Sequence, residues 1–126
     1  MKRHLPLILL ALLLGTLAAC SNAGAGDPAG TVEKYLQAKV SSDAGTLRSL
    51  LCADMESVLE REIHTFDSIS DVQIEGMACT FDGNATVNCQ GKIVALYGTE
   101  ETEFPLTSYR VVQEDGEWKW CGEAGP

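Results

Sequence analysis

Basic residues are scarce in this chain. Nine Lys and Arg stand against 18 Asp and Glu among 126 residues, giving a formal net charge of −9. No basic stripe is present that could neutralise the phosphates of a nucleic acid, so we expect no nucleic-acid partner. The acidic charge also disfavours direct contact between the folded domain and anionic lipid headgroups.

Motifs for catalysis and for cofactor binding are missing as well. The sequence contains no G-x-S-x-G, no H-E-x-x-H, no P-loop and no dinucleotide-binding fingerprint. It also has no C-x-x-C pair of the kind that begins many zinc sites. We therefore predict no metal, no cofactor and no catalytic residues, and we favour a function other than catalysis.

Histidine is limited to His4 and His64. Glu60 precedes His64 by four residues and Asp67 follows it by three, so a helix would place the three side chains on one face. Such a face could form a weak metal site or a base oriented by a carboxylate. A single helical histidine among acids is more often a solvated surface residue, and we assign this one no function.

No apolar run is long enough to span a membrane comfortably. Residues 5–19 are shorter than the roughly 20 apolar residues that a spanning helix needs, and Pro6 interrupts them. The basic residues 2–4 precede this run and small residues follow it, which is the order of a secretory signal peptide. The residues that end it, Leu-Ala-Ala-Cys at 17–20, resemble the lipobox of bacterial lipoproteins.

The lipobox resemblance implies a signal peptide at residues 1–19, a lipidated Cys20 as the first mature residue, and attachment to a membrane through that lipid. Residues 20–30 would form a flexible, Gly-rich tether, followed by a domain at 31–126. The mature chain would keep seven basic and 18 acidic residues, a net charge of −11. Its expected location is the extracytoplasmic face of the cell membrane or envelope. The alternative is ordinary signal cleavage, which would leave Cys20 as a free thiol.

The remaining four cysteines predict two disulfides, because an even number of cysteines in a small exported domain is typical of a disulfide framework. Cys79 and Cys89 flank a hairpin-like stretch and are the local pair; they can face each other only if the hairpin centres near Asn84. Cys52 would then join Cys121. The sequence alone leaves this connectivity open, and a zinc site is the alternative.

Helical periodicity comes first along the chain. Thr31 is a plausible N-cap for a helix that ends near Val40, and a second helix is expected from Ser42 or Asp43. A third amphipathic stretch, with Asp54 as a fresh cap, continues to Phe66.

Alternation of period two follows. Residues 72–81 predict a strand with a bulge at Gly76, and residues 85–97 predict a second long strand. The acidic segment 99–106 is expected to turn the chain. Two further alternating segments around Asp115-Gly116 predict a hairpin. Helices followed by a meander indicate an α+β fold: N-terminal helices on one face of a curved antiparallel sheet of about four strands.

This order of elements, closing in "YRVVQEDGEWKWCGE", resembles the nuclear transport factor 2-like (NTF2-like, cystatin-like cone) superfamily, and more narrowly bacterial lipoproteins of that shape. The resemblance implies a curved sheet wrapped around a helix, with a cone-shaped cavity that some members use for catalysis and others for binding or dimerisation. The superfamily hosts many functions, so the fold alone assigns none.

We therefore favour a non-catalytic binding module for an unknown protein or small ligand, with Tyr109, Trp118 and Trp120 as a candidate apolar platform. One alternative is a small cone-fold enzyme acting on a small apolar molecule, which requires a carboxylate or His64 beside a second polar group in the cavity. The other is a structural envelope protein or homodimer, which an exposed apolar sheet face would indicate.

Overall fold

The structure is a computed structural model that describes residues 26–125. The predicted signal peptide, Cys20 and the first part of the tether lie outside the described residues. Along the described chain the elements are α1 (Pro28–Val40), α2 (Ala44–Leu50), a 3₁₀ helix (Ala53–Val58), α3 (Leu59–Ile63), β1 (Val72–Phe81), β2 (Thr86–Tyr97), β3 (Glu100–Pro105), β4 (Ser108–Glu114) and β5 (Glu117–Glu123). The predicted α+β class is confirmed. Within residues 26–125 no helix combines the length and the apolar character that crossing a membrane requires.

Helix α1 begins four residues earlier than the sequence predicts. Its N-cap is Asp27, whose carboxylate accepts a hydrogen bond from the backbone N–H of Ala29 at 3.1 Å, and Pro28 occupies the first helical position. Thr31, the predicted cap, instead donates its N–H to the Asp27 carbonyl inside the first turn. The Asp-Pro pair is a helix start within a segment whose small residues otherwise resemble a linker.

The start of the second helix is predicted correctly, whereas the cap predicted for the third is not observed. Asp43 caps α2, since its carboxylate accepts hydrogen bonds from the backbone N–H and the hydroxyl of Thr46. Asp54, by contrast, lies inside the 3₁₀ helix rather than before it. The carboxylate of Glu114, from β4, accepts a hydrogen bond from the N–H of Ala53 at 3.0 and 3.2 Å. A residue distant in sequence thus bonds a backbone N–H at the helix start that the side chain of a local N-cap would otherwise bond.

The sheet has five antiparallel strands rather than about four. Its order is β1-β2-β4-β5, and β3 pairs with the second half of β2 while β4 pairs with the first half. Strands β3 and β4 therefore lie end to end along one edge of β2. Backbone hydrogen bonds from Leu106 to Gly91 and from Cys89 to Thr107 continue the ladder between them.

The turn expected at residues 99–106 is wrong, because most of that segment is β3. Its acidic residues are largely exposed, and the ammonium of Lys92 on β2 forms an ion pair with Glu103. An edge strand of this kind gains backbone hydrogen bonds while its charged side chains remain in water. The pattern Glu-Glu-Thr-Glu carries no apolar alternation that would have predicted a strand.

The bulge predicted at Gly76 is confirmed. The β1–β2 register shifts between Glu75 and Ala78, and Gly76 has φ +65°. On the facing strand Gly91 has φ +105°, and a Cβ placed there would lie 2.6 Å from the carbonyl oxygen of Glu75. The bulge bends β1 and increases the local twist, which curves the sheet around the helices.

Two disulfides join the elements. Cys79 and Cys89 lie directly opposite each other in the β1–β2 register, so the hairpin centres on Asn84 as predicted. Cys52 bonds to Cys121 of β5 and links the helical half to the last strand. Both pairs match the pairing that the sequence favours.

The core fills the space between the helices and the concave face of the sheet. Its largest fully buried side chains are Val32, Tyr35, Leu47, Val87, Val111 and Cys52. Part of the space between the helices and the sheet stays open as a cavity.

Candidate ligand cavity

A cavity of about 770 Å³ lies between the helices and the concave face of the sheet. Its volume falls in the range of small-molecule binding pockets. The sheet side is formed mainly by apolar and aromatic residues: Ile93, Tyr97, Phe104, Pro105, Leu106, Tyr109 and Trp120. The helical side carries most of the polar and charged groups: Lys39, Arg61, Glu62, His64 and Thr65. The cavity is therefore amphipathic, with one apolar wall and one polar wall.

Glu62 is the one charged side chain buried within the described residues, with 3% of its surface exposed. Its carboxylate accepts a hydrogen bond from the Tyr35 hydroxyl at 2.8 Å and two from Lys39 Nζ at 3.1 and 3.3 Å. Arg61 Nε is 3.9 Å from the same group. These partners compensate the cost of burying the charge. Burial, followed by the adjacent Glu62 carboxylate, raises the pKa of Tyr35, so its phenol stays protonated.

Glu62 was not singled out from the sequence. Tyr35 and Lys39 are four residues apart on α1 and so share a face. This spacing is the only feature of the sequence that indicates a polar group near them. It does not identify which acid among the many on the chain completes the group.

An aromatic stack lies beside the cavity and contributes Trp120 to its lining. The rings of Tyr35 and Trp120 are parallel within 9° at a centroid separation of 4.0 Å, and Tyr109 lies 6.4 Å from Trp120. The indole N–H of Trp120 is buried with no hydrogen-bond partner among the described residues. Stacking and apolar packing, rather than a hydrogen bond, therefore hold this ring.

Comparison with solved structures agrees with this architecture. A protein named Rd1NTF2_05, carrying five substitutions, superposes with a TM-score of 0.54 at 14% identity and covers 76% of this chain and 94% of its own. An NTF2-like protein of unknown function in nutrient uptake from Rhodospirillum rubrum superposes with a TM-score of 0.50 at 19% identity, covering 78% of this chain and 96% of its own.

The chain has an NTF2-like fold. At these identities the likeness extends to the fold and not to an activity. Neither a protein-family model nor a curated protein matches the sequence.

The cavity of this NTF2-like fold contains two of the three predicted platform residues. Tyr109 and Trp120 line it and are 5% and 4% exposed. Trp118 does not line it; its ring packs against Phe81 in an edge-to-face contact at 5.2 Å. Alternate positions on β5 share a face, but the ring of Trp118 contacts β1 rather than the cavity. A role in ligand contact stays a prediction for all three residues.

Two aromatic side chains at the mouth are exposed. Tyr97 is 45% exposed and Phe104 is 38% exposed, and they are the large apolar side chains most open to water among residues 26–125. The edge of Phe104 contacts Phe66 at a centroid distance of 6.0 Å. Phe104 lies on β3, and because that strand was not predicted from the sequence, neither was the role of Phe104 in lining the cavity.

The structure brings His64 together with both of its predicted neighbours. Its Nδ1 lies 2.7 Å from Asp67 Oδ2 and its Nε2 lies 3.5 Å from Glu60 Oε2. The hydrogen bond to Asp67 is the main reason that the pKa of His64 is raised. The ring lines the cavity mouth but is 57% exposed. Within residues 26–125 no group of three or more His, Cys, Asp or Glu side chains is placed to hold a metal ion.

Proposed function

We propose that this protein is a lipid-anchored, extracytoplasmic binding module that holds a small molecule with a predominantly apolar body in its cone cavity. The observation that carries the proposal is the cavity of about 770 Å³, whose sheet wall is apolar and includes the aromatic rings of Tyr109 and Trp120. Burying apolar ligand surface against such a wall is favourable by roughly 25 cal/mol per Å². The exposed aromatic pair Tyr97 and Phe104 extends this apolar surface to the mouth.

A role without catalysis is supported by the state of the polar groups. A general base needs a lone pair that can reach the substrate's proton. Glu62 instead accepts hydrogen bonds from Tyr35 and Lys39, and His64 is bonded to Asp67 at the exposed rim. Glu62 is thus engaged by donors of the protein itself, and His64 lies at a rim that does not exclude water.

A location outside the cytoplasm is supported by two independent features. Residues 17–20 resemble a lipobox, and the four other cysteines form two disulfides, which persist in oxidising compartments. A tether and a net charge of −11 in the mature chain would hold the domain off an anionic membrane surface.

Ligand binding is tested with residues 21–126 and the uncharged fluorescent probe N-phenyl-1-naphthylamine. We expect saturable enhancement of its fluorescence. Leu106→Trp, which adds bulk to the apolar wall, should abolish the enhancement. Val112→Trp, a similar addition on a β4 residue that does not line the cavity, should leave it unchanged. Absence of binding, or equal binding by both variants, would contradict the cavity as the site.

Anchoring is tested separately. The full chain, expressed with its own N-terminus in a bacterial host, should acquire the mass of a lipidated Cys20 and fractionate with membranes. Cys20→Ser should lose both properties. An unlipidated wild-type chain released from the membrane would contradict the anchor while leaving the ligand proposal intact.

A further inference from the structure

We propose that the ligand is an organic acid, with its apolar body against the sheet wall and its carboxylate against Arg61 at the mouth. This inference rests on the proposed function and specifies the chemical class of its ligand. It follows from where the charges of the cavity lie and which of them already have partners.

The basic groups of the cavity are gathered on its helical wall. Lys39 comes from the last turn of α1, Arg61 from α3, and His64 caps the end of α3. The sheet wall facing them is apolar along β2 and β3. A molecule that spans the cavity would therefore meet apolar groups on one side and positive charge on the other.

Arg61 is the cation with free hydrogen-bonding capacity. Its side chain is 70% exposed, and within the described residues its guanidinium donates no hydrogen bond; its nearest charged contact is Glu62 at 3.9 Å. Lys39 already donates to both oxygens of Glu62. A guanidinium presents parallel N–H groups that match a carboxylate, so Arg61 is the natural partner for an acidic head.

The negative charges at the cavity do not occupy the same place. Glu62 is paired with the Lys39 ammonium in the interior and also accepts a hydrogen bond from Tyr35. The other lining carboxylate, Glu123, is exposed and lies at the end of β5 on the opposite wall. Glu60 and Asp67 flank His64 but do not line the cavity. An anionic head thus meets attraction at Arg61 and repulsion from Glu123, whereas a cationic head would meet the reverse.

Three ligands with the same chain and different heads separate these cases. Dodecanoate, dodecanol and dodecylammonium are used, each below its aggregation limit, to displace N-phenyl-1-naphthylamine from residues 21–126. We expect dodecanoate to displace the probe at the lowest concentration. The preference over dodecanol should be about two- to fivefold, the range that an exposed ion pair supplies, and should shrink as salt is added.

Variants assign the preference to a residue. Arg61→Gln should abolish the difference between dodecanoate and dodecanol, and Glu123→Gln should enlarge it. Arg110→Gln, an exposed arginine on β4 that does not line the cavity, is the matched control and should have no effect.

Each other outcome has a defined meaning. Equal displacement by dodecanoate and dodecanol overturns the assignment of an acid and leaves the apolar site intact. Tightest displacement by dodecylammonium overturns it in favour of a ligand held by Glu123. Failure of all three ligands and of the probe to bind overturns the proposed function itself.

Discussion

The hydroxyl of Tyr35 donates a 2.8 Å hydrogen bond to Glu62, and this contact connects α1 to α3 inside the core. Both groups are almost completely buried. This hydrogen bond allows a carboxylate to be buried beside the cavity, and it holds α3 close to α1. The stability of the helical side of the cavity therefore depends on the hydrogen bonds that Glu62 accepts.

Tyr35→Phe should lower the free energy of unfolding by about 1 to 3 kcal/mol, because Glu62 loses a partner while remaining buried. Tyr97→Phe is the matched control, since its hydroxyl donates no hydrogen bond within residues 26–125 and its side chain is 45% exposed. Urea unfolding of both variants checks the prediction. Equal, small losses in the two variants would show that the Tyr35–Glu62 bond contributes little.

Alkaline pH should destabilise the fold through Tyr35. Burial and the Glu62 carboxylate raise its pKa in the folded state above the ordinary value of 10.0. Above that pH the unfolded chain loses the tyrosine proton more readily than the folded chain, so the free energy of unfolding falls as the pH rises. The fall should be steeper in the wild type than in Tyr35→Phe. Parallel pH profiles of urea unfolding would contradict this.

Gly91→Ala should be far more destabilising than Gly98→Ala. At Gly91 a Cβ meets backbone atoms of Glu75 and Gly76 at 2.6 to 2.7 Å, whereas at Gly98 nothing lies within 4 Å. We expect a loss of about 3 kcal/mol or more at Gly91 and about 1 kcal/mol at Gly98, where only the positive φ is unfavourable. Thermal unfolding distinguishes the two variants. Similar losses would mean that the backbone at the bulge shifts to accommodate the added Cβ without loss of stability.

The two disulfides should differ in their contribution. The Cys52–Cys121 bond spans 69 residues and the Cys79–Cys89 bond spans 10. In the chain-entropy account these closures stabilise by about 4 and about 3 kcal/mol respectively. Replacing each pair with alanine and comparing urea midpoints should show the greater loss for the longer closure. The reverse order would mean that the short bond stabilises the native sheet itself.

Much of the fold follows from patterns that burial imposes on the sequence. Alternation on either side of Gly76 predicts both the strand and its bulge, and Asp115-Gly116 predicts the last hairpin, because apolar side chains on one face must reach the core. Strand β3 could not be predicted this way. Its residues Glu100 to Glu103 are held at the sheet edge by backbone hydrogen bonds, which leave no trace in hydrophobic periodicity.

The cavity was predicted less completely than the fold. Tyr109 and Trp120 could be predicted as cavity residues because they are aromatic and lie on predicted strands. Glu62 and Arg61 are adjacent residues in a highly charged segment, and only tertiary contacts, including those of Glu62 with Tyr35 and Lys39 on α1, bury one and leave the other exposed. That difference arises from tertiary structure, which local pattern does not encode.

Tryptophan fluorescence tests the central claim, that the cone cavity binds a small apolar molecule, most directly. In Trp118→Phe the remaining tryptophan, Trp120, lines the cavity; in Trp120→Phe the remaining one, Trp118, does not. Titration with dodecanoate or dodecanol should produce a saturable change in the emission of Trp120 and none in that of Trp118. An unchanged Trp120 emission up to the solubility limit, or an identical change in both variants, would contradict binding in the cavity.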